Sequence, residues 1–99
     1  MHLGKVIGTV WSTRKDEKLV GAKFLIVQQL DLDYKPKNGF VVAVDSVGAG
    51  VGEIVLFAQG SSARQTTFTK DKPVDAVIMA IVDKLDISVK EKLKEIVEN

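Results

Sequence analysis

Gly48-Ala49-Gly50-Val51-Gly52 is the densest glycine cluster in this chain of 99 residues, and the first place where chemistry could reside. Glycine-rich loops cradle phosphates when their backbone N–H groups converge at a helix N-terminus. This cluster spells G-x-G-x-G, which fits neither the dinucleotide fingerprint nor the P-loop pattern. The residues that follow, Glu53-Ile54-Val55-Leu56-Phe57, have the β-branched, apolar character of a strand rather than a helix. A glycine loop entering a strand suits a backbone that takes positive φ or passes close to another surface.

Other reactive residue types are scattered. The single histidine, His2, has no second histidine to complete a metal set. Ser61 and Ser62 lack the G-x-S-x-G elbow that exposes a nucleophile, and capping a short helical turn through Ala63-Arg64-Gln65 accounts for them. Asp31 and Asp33 have the start of a calcium-loop spacing without its glycine and distal glutamate, so loop carboxylates in solvent are expected. Cysteine is absent, which removes disulfides, thiol nucleophiles and thiolate metal sites together. The expectation is no catalytic residue, no cofactor and no bound metal: not an enzyme.

Charge and aromatic content narrow the partners. The formal net charge is +1, so no strong field invites nucleic acid or an anionic membrane. Single-strand binding, the rival reading for a small barrel, needs a basic groove interleaved with exposed aromatics. Trp11, Phe24, Tyr34, Phe40, Phe57 and Phe68 are the aromatics, and core packing in strands is expected to absorb most of them. Lysines alternate with acids, as in Arg14-Lys15-Asp16-Glu17-Lys18, the mark of a solvated mixed face. The N-terminus has no signal-peptide pattern, and the longest apolar runs fall far short of the roughly 20 residues of a membrane span. An intracellular, soluble protein is expected.

These loops must be held by something, and valine and isoleucine say what. β-branched residues cluster in short runs separated by glycine and charge, which predicts strands. The runs are Leu3 to Trp11, Ala22 to Leu30, Phe40 to Val47, Glu53 to Gln59 and Val74 to Val82. Asn38-Gly39 is the turn signal expected between the second and third, because both residues tolerate positive φ. Ser88-Val89-Lys90-Glu91 has the S-x-x-E form of a capping box, and Val89, Leu93, Ile96 and Val97 follow as one helical stripe. The predicted fold is mostly β: one domain over 1–99, with a five-stranded OB-like barrel over about 1–83, a short helical turn, and a C-terminal helical tail over about 84–99.

The ordered motifs resemble the EutN/CcmL family of bacterial microcompartment vertex proteins. The resemblance spans Leu3-Gly4-Lys5-Val6-Ile7-Gly8-Thr9-Val10 and Leu19-Val20-Gly21-Ala22-Lys23-Phe24-Leu25. It is densest in Val44-Asp45-Ser46-Val47-Gly48-Ala49-Gly50-Val51-Gly52-Glu53 and Gly60-Ser61-Ser62-Ala63-Arg64, and closes with Pro73-Val74-Asp75-Ala76 and Ile81-Val82-Asp83. From Lys84 onward no family motif is matched. The resemblance implies a barrel that assembles into a cyclic homopentamer, with a hexamer as the neighbouring closure, at the corners of a shell of hexameric tiles in the bacterial cytoplasm. On that reading Gly48, Ala49, Gly50, Val51 and Gly52 are expected near the fivefold axis, where five copies pass close together. Glu53, Ser61, Ser62 and Arg64 are expected at the subunit interface, where a bidentate arginine would fix the angle between neighbours.

Overall fold

The computed structural model describes residues 1–12, 15–67, 69–70 and 74–87. Five strands form: β1 His2–Val10, β2 Lys23–Leu30, β3 Pro36–Asp45, β4 Ile54–Gln59 and β5 Ala76–Ile81. They close into a barrel in the order β1-β2-β3-β5-β4, the OB-like architecture expected from the runs of β-branched residues. All neighbours are antiparallel except β3 and β5, which pair in parallel through Val44 with Val77 and Asp45 with Ile78. The last strand is therefore inserted between two strands that are consecutive in sequence. The predicted helix from Ser88 lies outside the described residues.

The period-two alternation of the strands sends one side chain in and the next out. Val6, Leu25, Val27, Ala43, Val55, Phe57 and Ile78 meet in the barrel interior, with Ala49 from the β3–β4 loop sealing one end. Closure demands close approach at Gly4, where a Cβ would meet the side chain of Val27, Phe57 Cε1 at 2.9 Å and the carbonyl of Gln28 at 3.0 Å. A β-bulge between Val6 and Gly8 lets β1 bend from its pairing with β4 into its pairing with β2.

The reversal between β2 and β3 differs from the one expected at Asn38-Gly39. The chain turns at Asp31–Lys35, where Asp31 Oδ1 accepts the N–H groups of Asp33 (2.8 Å) and Lys35 (3.0 Å) and Tyr34 takes φ 62°. An aspartate that mimics a backbone acceptor sets the turn before the Asn-Gly pair is reached. These bonds, from Lys35 first and then Asp33, hold the Asp31 carboxyl below its ordinary value. Asn38 and Gly39 instead fall inside β3. Gln28 pairs with Phe40 and Leu30 with Pro36, so Lys37, Asn38 and Gly39 stand opposite Gln29 alone. The end of the charge-mixed run, expected as a solvated face, enters a 3-10 helix at Glu17–Leu19, capped by the Asp16 side chain.

Candidate functional site

The glycine loop leaves β3 at Asp45, and that residue organises it. Asp45 Oδ1 accepts the backbone N–H groups of Val47 (3.1 Å), Gly48 (3.1 Å) and Ala49 (3.2 Å). Glu53 ties the other end, its Oε1 accepting the N–H of Gly50 at 2.7 Å while its own N–H donates to the Gly50 carbonyl at 3.1 Å. Two backbone bonds stitch the loop to β1: Gly52 N–H to the Val6 carbonyl (2.8 Å) and Val6 N–H to the Glu53 carbonyl (3.0 Å). Lys23 Nζ donates to the Ala49 carbonyl at 3.0 Å from β2. Gly48 and Gly52 sit at φ 79° and 94°, which only glycine adopts without strain.

This arrangement decides against a phosphate cradle. Such a site needs convergent, unpaired N–H groups and positive potential. Here the N–H groups of residues 47–50 are taken by two of the chain's own carboxylates. What the loop offers outward is apolar: Val47 and Val51 are exposed, Val51 at 63%.

The other predicted interface residues lie elsewhere. Ser61, Ser62 and Arg64 belong to a 3-10 helix, Gly60–Arg64, that follows β4, whereas Glu53 precedes it. Six strand residues at ~3.3 Å each separate the two groups by roughly 20 Å, so the structure does not bring Glu53 and Arg64 together. Neither serine caps this helix; its N-cap is Gln59, which makes no side-chain bond, and the buried Ala63 anchors the turn against Ala58 and Val77. Arg64 is held within the chain, Nη1 donating to the Val74 carbonyl (3.0 Å) and to Asp75 Oδ1 (2.9 Å). The Asp75 side chain is 93% exposed, so this ion pair contributes about 0–1 kcal/mol. Among the described residues both contacts run through Nη1, leaving Nη2 and Nε directed at no acceptor.

Two features were missed. Asp45 carries the loop, and its signal was available: aspartate followed by Ser-Val-Gly is a side-chain-capped turn. The aromatics are the second. Among the described residues only Phe57 is fully buried and Phe24 partly so; Trp11 is 90% exposed, Phe40 64% and Tyr34 46%, against the expectation that the core would absorb most of them. They do not form one stacking surface, since Trp11 follows the Val10–Phe24 pair at one end of the β1–β2–β3 wall while Phe40 and Tyr34 lie towards the other. Phe40 and Val42 alternate with the core residues Val41 and Ala43, so they share the outer wall of β3, with Ile26 facing Val42 across the β2–β3 ladder. Among the described residues no group of three His, Asp or Glu side chains could hold a metal ion.

Large apolar side chains exposed on the wall are of the kind that mark interaction surfaces, and the closed barrel with tied loops places the chain in the class of small OB-like β-barrel proteins. The comparisons with known proteins say which. The family model described as "Ethanolamine utilisation protein EutN/carboxysome" matches residues 1–83. The carboxysome shell vertex protein CcmL of Gloeobacter violaceus is 45% identical over 88% of this chain and 87% of its own length. Its solved structure superposes with a TM-score of 0.83, covering 89% and 91% of the two chains. The microcompartment shell vertex protein GrpN of Rhodospirillum rubrum is 50% identical over 87% of this chain and 97% of its own. Its structure, described as a pentameric shell protein, superposes at 0.80 over 88% and 99%. The chain belongs to the EutN/CcmL family. It is a structural protein of the bacterial microcompartment shell and not an enzyme.

Proposed function

We propose that this chain closes the vertices of a microcompartment shell as a cyclic homopentamer set among hexameric shell proteins. What supports the reading most is the match to the pentameric GrpN structure, which extends over 99% of that chain. The barrel supplies a physical reason to associate. A cyclic ring repeats one heterologous contact, in which two different patches of each subunit meet. Phe40 and Val42 on the β3 wall, and Val47 and Val51 on the glycine loop, are separate exposed apolar patches of the kind such a contact covers.

In the ring, the Gly48–Gly52 loop faces the fivefold axis. Its side-chain economy and its tether to β1 allow five copies to approach without collision. Ser61, Ser62 and Arg64 meet the neighbouring subunit, Arg64 through Nη2 and Nε while Nη1 keeps Asp75. Glu53 contributes from the loop side through its second carboxylate oxygen. Pentagonal positions are what a sheet of hexameric tiles needs in order to close.

Native mass spectrometry of the purified chain tests this. A single species of five copies is expected; a monomer at high concentration overturns the reading, and six copies overturns the pentamer while leaving the ring.

A further inference from the structure

Asn38-Gly39 was expected to make a turn, and the fold does not use it for one. The pair lies in a bulge of β3, outside the paired register, with both residues exposed. Gly39 takes φ 87°, and a Cβ built there would have nothing within 4 Å. Among the described residues the Asn38 side chain makes no hydrogen bond, so its amide is free to rotate towards the following peptide. Asn99 is the only other asparagine in the sequence, and it lies outside the described residues. A side chain on the following residue and a partner for the asparagine amide, two features that ordinarily keep an asparagine from its neighbour's backbone nitrogen, are both missing at Asn38.

We infer that Asn38 is a self-modification site, converting through a cyclic imide to aspartate and isoaspartate in the native protein. Gly39 N, losing its proton to solvent base, attacks Asn38 Cγ; the new C–N bond closes a five-membered ring and the side-chain nitrogen leaves as ammonia. Water then opens the ring at either carbonyl, giving aspartate or the isoaspartyl linkage. The sum is asparagine plus water to aspartate or isoaspartate plus ammonia, and no oxidant or cofactor is required.

The fold also contains the device that sets the rate. Gln28 Nε2 donates to the carbonyls of Lys37 (2.5 Å) and Gly39 (2.8 Å), which belong to the peptides on either side of the Asn38-Gly39 pair. This side-chain amide clamps the backbone of the bulge and opposes the movement that brings Gly39 N to Asn38 Cγ. Conversion adds a negative charge between Lys37 and the exposed Phe40. The isoaspartyl product also lengthens the main chain by one methylene, which pulls the two clamped carbonyls apart. The surface that changes is the outer wall of β3, beside Val42.

The test is peptide mapping of the intact, assembled protein after incubation at mildly alkaline pH, with fragmentation that separates aspartate from isoaspartate. Accumulation of both products at residue 38 is expected, and loss of the Gln28 clamp in Gln28→Ala raises the rate on the order of tenfold, as release of modest hydrogen bonds would. Gln28→Met, which keeps the length without the donors, gives the same reading should the alanine variant fail to fold. An unchanged Asn38 in the native protein, alongside conversion in urea, overturns the site. Equal rates in wild type and the folded Gln28 variant overturn the clamp.

Discussion

Replacing Asp45 with alanine removes the acceptor that holds the glycine loop, and the structure says where the cost falls. One oxygen serves three N–H groups at 3.1–3.2 Å. Val47 and Gly48 are exposed, so water replaces the carboxylate at their amides for little net cost. Ala49 is different: it is fully buried in the core cluster, and its N–H is left without a partner. An unsatisfied buried donor costs about 1–3 kcal/mol, so Asp45→Ala is expected to lose about 2 kcal/mol, nearly all of it through residue 49. Asp45→Asn keeps an oxygen in place without the charge and is expected to lose about half of that. Urea unfolding at fixed protein concentration measures the loss; the concentration is held because assembly adds to apparent stability. Hydrogen exchange should show the amide of Ala49 losing protection while those of β4 keep theirs. An alanine variant within about 0.5 kcal/mol of wild type, the range of an ordinary surface substitution, would refute the assignment of the loop to this carboxylate.

Three further outcomes follow from named contacts. Gly4→Ala sets a methyl against the fully buried Val27 and Phe57 and should cost about 1–3 kcal/mol. Gly8→Ala meets only the flexible end of Ile26 at 3.3 Å and should be near neutral, with a gain of about 0.4–1 kcal/mol from the unfolded chain offsetting the contact; equal unfolding midpoints would be inconsistent with this contrast. Asp31 should titrate with a midpoint below the ordinary 3.8 in a carbon-detected NMR titration. Because its folded value is depressed, its contribution to the β2–β3 turn is present above the unfolded value and lost as pH falls through the folded one; a midpoint at or above 3.8 would contradict the turn. Arg64→Ala should shift the native mass distribution towards smaller species, whereas an unchanged ring restricts Arg64 to its bond with Asp75.

The strands were legible because Val, Ile and Leu alternate over five runs, and their observed bounds differ from the expected ones by a few residues at the ends. The β2–β3 reversal was not, because Asn-Gly is the stronger short-range pattern and only geometry shows Asp31 closing the turn first. The glycine loop was legible as a backbone device, and Asp45 before Ser-Val-Gly carries the pattern of a capped turn. Only the geometry shows that one of its carboxylate oxygens receives three N–H groups. Arg64 was marked by its motif, yet its partner Asp75 stands 11 positions away across the barrel's last connection. Alternation also cannot tell an outer wall that faces water from one that awaits another subunit. Most of the aromatics were therefore expected in the core, although the pleat sends Phe40 outward.

β5, wedged between β3 and β4, has a consequence for how the molecule is made. A ribosome finishes β3 and β4 first, and neither can pair with the other in the native sheet. Until residues 76–81 emerge, each has an open edge, and the parallel contact of Val44 with Val77 must wait for them. The Val74 carbonyl and Asp75, which hold Arg64, arrive only just before. A chain cut short anywhere before β5 thus has neither a closed barrel nor a fixed arginine. Topology alone makes closure of this barrel wait on the last strand to be translated.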